Sequence, residues 1–221
     1  MAEDLLTDDE QWEAIKRWTT ENGPWLVAGV ALGAALLLGY RFYQGHRSAQ
    51  ELNAAAEFDA MTAAIDANDP AGVRRTGAAL LKDYPSTPYA DQAELMLARL
   101  AVDDGLLANA VDPLTHVMNT SKDTQLRHIA RLRLARVLID QGKPDQAISL
   151  LAAVAPDKFA PRYHEVRGDA LYAKKDIAGA VREYQAALEG GGAHDSDTAL
   201  LELKIADLGA NVTPPAPKAK P

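Results

Sequence analysis

No cysteine occurs in the 221 residues, so neither a disulfide staple nor a thiolate metal site is available. Basic charge is also in deficit: 23 Lys and Arg stand against 31 Asp and Glu, with a net charge of −8 and a pI near 5.1. With no basic stripe, nucleic acid is excluded as a partner. The five histidines, His46, His116, His128, His164 and His194, are scattered, and no two stand four apart as a helical zinc pair requires. Neither a Gly-x-Ser-x-Gly elbow nor a phosphate-binding glycine loop is present, and Gly190 to Gly192 reads as a plain stop. Adjacent acids such as Asp103 and Asp104 fit solvated helix ends better than a catalytic dyad. The expectation is a protein without catalytic residues, metal or cofactor. Period-two alternation is lacking too, so no strand is expected.

What the chain does have is an apolar run near its start. The 18 residues from Gly23 to Tyr40 carry no charge, and as a helix they would extend about 27 Å, close to the thickness of a bilayer core. Trp25 opens the run, and Tyr40, Phe42 and Tyr43 close it, as aromatic belts do at membrane interfaces. The 22 residues before it hold seven acidic and two basic side chains, unlike the short basic start of a cleaved signal. The Arg-Phe-Tyr-Gln-Gly-His stretch that follows offers no small-residue cleavage site. The residues therefore point to a retained single-pass anchor at 23–43. Lys16 and Arg17 on one side balance Arg41 and Arg47 on the other, so the basic residues leave orientation undecided; a short leading tail before a long domain favours a cytoplasmic N-terminus.

Residues 1–22 form an acidic tail. Thr7 and Glu10 suit a capping box, and Trp12, Ile15 and Trp18 share one helical face. Asn22-Gly23-Pro24 is expected to end this short helix before the span. Within the span, Gly29 and Gly33 stand four apart and would let a second helix approach closely.

From residue 44 to 209 the sequence is helix-forming, with breaks at Asn68-Asp69-Pro70, Tyr84-Pro85, Asp104-Gly105, Gly142-Lys143-Pro144, Ala160-Pro161 and Lys175-Asp176. Small residues recur twelve apart: Ala98 and Ala110, Ala135 and Ala147, Gly168 and Ala180. Four residues after each second member comes a large one, Leu114, Leu151 or Tyr184, and three further on Val117, Val154 or Ala187. The repeat length is 37 and then 33, with a fainter copy at Met61 and Val73. This pattern resembles the tetratricopeptide repeat, a helix-turn-helix of about 34 residues that stacks into a superhelix. The fold class expected is all-α: one transmembrane helix followed by a tetratricopeptide-repeat-like solenoid of about four helix pairs and a capping helix near 196–208. The Pro-rich residues 210–221 read as a disordered extension.

In such repeats the first helix of each pair lines a groove, with the residue after the small one facing into it. Here those are Arg99, Arg136 and Asp169, with Asp103, Asp140 and Tyr172 one turn on and Leu132 and Ile139 as apolar contacts. The arginines could grip an incoming segment, or pair with the aspartates four residues away on a solvated face.

Across nearly the whole length the chain resembles the YfgM family, ancillary subunits of the SecYEG translocon. The resemblance lies in Lys16-Arg17-Trp18, Glu21-Asn22-Gly23, Gly39-Tyr40-Arg41-Phe42-Tyr43, Leu132-Arg133-Leu134-Ala135-Arg136-Val137 and Val166-Arg167-Gly168-Asp169-Ala170-Leu171. It implies a bacterial inner-membrane protein with the N-terminus in the cytoplasm and a periplasmic repeat domain. The implied partners are SecYEG and the periplasmic chaperone PpiD; the apolar span adds membrane lipid, and a scaffold at the translocon would also meet emerging polypeptide. Two alternatives share the fold: a repeat adaptor of another envelope assembly, and a regulator whose repeats face the cytoplasm.

Overall fold

The computed structural model describes residues 8–153, 157–190 and 195–209. All regular structure among them is helical, and the chain divides into two units, one ending at Asn53 and one starting at Ala54.

The first unit is carried by α1, which is 59 residues long, Asp8–Asp66. Leu26, Val27, Val30, Leu32, Leu36, Leu37 and Leu38 on it are all exposed. Among the described residues this is the single helix long and apolar enough to cross a membrane. Protein does not cover this apolar surface, and in water its exposure would be strongly unfavourable. The expected break at Asn22-Gly23-Pro24 is corrected: Pro24 lies inside α1, and Gly23 is not among the residues with positive φ. Polar side chains of the preceding turn fold back onto their own helix. Thr19 and Thr20 donate to the carbonyls of Ile15 and Arg17 at 2.8 Å each, and Asn22 donates to that of Trp18 at 3.0 Å. Asn22 therefore occupies a carbonyl inside the helix instead of capping its end, the kind of compensation that lets membrane helices carry proline. The proposed capping threonine, Thr7, lies outside the described residues.

The second unit stacks helices in antiparallel pairs: the last turns of α1 with α2 (Pro70–Asp83), α3 (Pro88–Asp103) with α4 (Leu107–Thr120), α5 (Thr124–Asp140) with α6 (Pro144–Ala152), and α7 (Ala160–Ala173) with α8 (Ile177–Glu189). A final helix, α9 (Asp195–Asp207), packs on α8. Local chemistry sets the starts. Asp69, Asp123 and Asp176 accept from the backbone N–H groups of Gly72, Gln125 and Gly179 at 2.7–2.9 Å, and proline occupies the first turn of α2, α3 and α6.

Each pair turns at the same point. Asn68, Gly105, Gly142 and Lys175 have φ between 50° and 74°, so a left-handed residue recurs wherever the first helix of a pair ends. Glycine adopts this conformation freely, whereas lysine is strained there. Lys175→Gly should therefore raise stability by up to about 1 kcal/mol, and Gly142→Ala should lower it by about 1 kcal/mol. Opposite shifts of the thermal midpoint of the detergent-solubilised chain, followed by helical circular dichroism, are the check.

The repeat residues form the core. Ala98, Ala110, Ala135, Ala147 and Ala180 are buried, as are Leu114, Leu151, Tyr184, Val117 and Ala187, and Met61 with Val73 in the first pair. Val154 lies outside the described residues. Gly168 makes room for Tyr184: a Cβ there would stand 2.4 Å from the Tyr184 ring, so one of the two would have to shift. The core runs as successive clusters from Ala54, Met61 and Leu80 through Leu95, Leu114 and Leu134, then Leu151, Tyr163 and Val166, to Leu201 and Ile205. No pair can bury its apolar face alone, so each depends on its neighbour.

Candidate partner-binding surface

The first helices of the pairs carry the surface. On α3, Arg99 is exposed and its Nε lies 3.6 Å from the Asp103 carboxylate, an i, i+4 pair open to water on both sides. Such a pair contributes about 0.3–0.5 kcal/mol and exchanges readily. Arg136, the equivalent residue of α5, does not pair with Asp140. Its Nη2 lies 3.5 Å from Glu165 of α7, in the next repeat. Asp140 is exposed and has no ion-pair partner among the described residues.

Two cavities flank Arg99. One, of about 520 Å³, is bounded by Thr62, Ile65, Val73, Met96 and Leu100, with Arg99 and Asp103 at its edge. The second, of about 300 Å³, lies between α3 and α5. Its floor is Ala98, Val102, Leu114 and Val137, and Arg99, Arg133, Arg136 and Asp140 surround it. Arg133 is absent from the sequence-derived set, yet it is central here. Its Nη1 donates to the Leu95 carbonyl at 3.4 Å, and it has no acidic partner among the described residues. Burial of its guanidinium, then repulsion from Arg99 and Arg136, holds its pKa below the ordinary arginine range. Three guanidinium groups on one rim make this wall locally basic on an acidic chain.

Other sequence-derived residues fall elsewhere. Leu132 is corrected: it is buried, in a cluster with Ala135, Leu151 and Val166. One residue on an α-helix is a turn of about 100°, enough to move position 132 from the groove to the core while Arg133 takes the surface. Ile139 is half-buried against the same cluster. Asp169 is engaged within the fold, accepting from Tyr184 Oη at 2.8 Å and from Lys204 Nζ at 2.7 Å. Lys204 also reaches Glu165 at 3.3 Å and lies 5.3 Å above the Tyr184 ring, so these groups fasten α9 to α7 and α8. Burial, then the Asp169 charge and its hydrogen bond, pushes the Tyr184 pKa far above its ordinary value and keeps the phenol a donor. Tyr172 stands exposed at the end of α7.

In the first unit, Gly29 and Gly33 lie on the exposed apolar part of α1, and a Cβ at either would meet no atom within 4 Å. Among the described residues no group of three or more His, Cys, Asp or Glu is arranged to hold a metal.

A family model described as a tetratricopeptide repeat-like domain matches residues 16–210. Three similar proteins each bear the name ancillary SecYEG translocon subunit. That of Escherichia coli is 30% identical over 196 residues, 89% of this chain and 92% of the relative. That of Neisseria gonorrhoeae is 29% identical, over 92% of this chain and 98% of the relative. The Haemophilus influenzae protein is 26% identical, over 90% and 97%. The small-residue spacing, the stacked pairs and this end-to-end similarity agree: the chain belongs to the YfgM family of tetratricopeptide-repeat-like proteins.

Proposed function

We propose that this chain is a non-enzymatic scaffold of the bacterial inner membrane, anchored by α1, that associates with the Sec translocon. The observation carrying this reading is similarity over about nine-tenths of the chain to proteins named for that association. The exposed apolar segment of α1 supports the anchor. Orientation follows from the same reading: residues 1–22 lie in the cytoplasm and the repeat unit in the periplasm, where emerging polypeptide is handled. Its partners there are a membrane-bound periplasmic chaperone of the PpiD kind and translocated segments. They engage the inner faces of α3 and α5 around Arg99, Asp103, Arg136 and Asp140, with Ile139 and Tyr172 beside them. Gly29 and Gly33 supply a face for a neighbouring membrane helix.

The test is recovery of SecY with the tagged full chain from membranes solubilised in mild detergent. SecY and the chaperone should co-purify; recovery of the chain without SecY would overturn the translocon assignment. Orientation is read independently by fusing alkaline phosphatase after Asp207. Activity is expected, and an inactive fusion whose green fluorescent protein counterpart glows would place the repeats in the cytoplasm.

A further inference from the structure

The two cavities beside Arg99 differ in chemistry although they occupy successive repeats. Met96 and Arg133 are equivalent residues, 37 apart, on the inner faces of α3 and α5. One cavity presents Ile65, Val73, Met96 and Leu100, with Thr62, Asn68, Asp69, Arg99 and Asp103 also on its lining, and the next is ringed by three guanidinium groups and Asp140 over an apolar floor. Net charge on the chain is −8, so three arginines around one cavity run against its overall sign.

We propose that this groove binds an extended polypeptide segment carrying a large apolar side chain and, about three residues away, a carboxylate. The apolar side chain fills the cavity between Ile65 and Met96, and the carboxylate is held by Arg133 with Arg99 and Arg136. Neighbouring packed helices lie about 8–10 Å apart, a distance covered by about three residues of polyproline II chain, in which side chains three apart share a face, which sets the spacing. Arg133 is the anchor because its planar fork can hold both oxygens of one carboxylate. No acid has to be displaced from it, since its hydrogen bond goes to the Leu95 carbonyl. Arg99 is held by its exposed pair with Asp103 at 3.6 Å, so it can turn to the ligand at small cost. Arg136 keeps Glu165 at 3.5 Å and contributes field from the far wall. Asp140, on the same rim and without an ion-pair partner among the described residues, is placed to accept a backbone N–H of the segment and so to set its direction. Repulsion among the arginines is relieved when the carboxylate enters. A concave site of about 300 Å³ accommodates a side chain; a flat membrane surface would not enter it.

This inference rests on the partner-binding role proposed above, but its test does not require the translocon. The probe is a fluorescein-labelled peptide, Gly-Ile-Ser-Ser-Glu-Gly, added to the full chain in detergent and followed by fluorescence anisotropy. Replacing its Glu by Gln, or its Ile by Gly, should weaken binding by about tenfold. In the protein, Arg133→Gln should do the same, with Arg133→Lys falling between because the charge remains and the fork is lost. Arg182→Gln, at an exposed arginine of α8, should leave affinity unchanged. Equal affinity for the Glu and Gln peptides overturns the proposal whatever the variants do. Equal losses from Arg133→Gln and Arg182→Gln, at unchanged melting temperature, overturn the assignment to this cavity. Peptide binding without SecY recovery would sink the translocon reading alone, and SecY recovery without acid-dependent peptide binding would sink this inference alone.

Discussion

Replacing Ile205 by alanine should destabilise the repeat unit by about 2–5 kcal/mol, whereas Leu203→Ala on the same helix should shift it by a few tenths. Ile205 is fully buried among Ala180, Tyr184, Ala187, Leu188 and Leu201, while Leu203 is 57% exposed. Removing three carbons from Ile205 leaves a cavity that the small residues around it cannot fill. The effect reaches beyond α9 because a stacked array derives its stability from nearest-neighbour contacts, and its last pair needs a cover. Lys204 strengthens that cover by bridging Asp169 and Glu165. Each kcal/mol should lower the thermal midpoint by about 2–4 °C for a chain of this size. Equal midpoints for the Ile205 and Leu203 variants would mean that α9 does not seal the core as drawn.

The repeat unit was legible because two independent signals share one period. Small residues at Ala98, Ala135 and Gly168 mark where paired helices touch, and a turn follows each at Gly105, Gly142 and Lys175. Both are local requirements of steric fit and backbone conformation, so a sequence records them directly. The failure at Asn22-Gly23-Pro24 has an equally physical origin. Gly and Pro end helices in water because solvent competes for the freed backbone groups. In α1 the neighbouring Thr and Asn side chains take carbonyls of the preceding turn, and the helix continues.

The candidate surface was less legible. Stepping one residue past each small position, as the resemblance to tetratricopeptide repeats implies, found Arg99 and Arg136. It missed Arg133, whose importance comes from a cavity wall shared with α3. It also placed Asp169 in the groove, although Lys204, 35 residues further along, claims its carboxylate. The partners of Arg136 and Asp169 lie in other helices, and no local pattern announces such pairings.

The register itself has the other large expected effect. Ala135 faces the interior of the third pair and Ala147 is its counterpart on the second helix of that pair; both are fully buried in the cluster with Leu151, Tyr163 and Val166. Leucine at either place forces three extra carbons into a contact that only a methyl group fits. Because the flanking helices are pinned on both sides by neighbouring repeats, they cannot simply move apart. Overpacking of this kind costs about 1–3 kcal/mol. Gln146 is adjacent to Ala147 but exposed, on an open cleft with Val111, Leu138 and Leu150, so Gln146→Leu adds no atoms to the contact made by Ala135 and Ala147 and serves as the control. Melting of the full chain in detergent, followed at the helical band, should show Ala135→Leu and Ala147→Leu falling by several degrees. The Gln146 variant should stay within about one degree of the parent, given a cost of no more than a few tenths of a kcal/mol. Coincident midpoints for all three variants would show that the small positions are not the contact points of the pair, and the 37-residue spacing from Ala98 to Ala135 would lose its structural meaning.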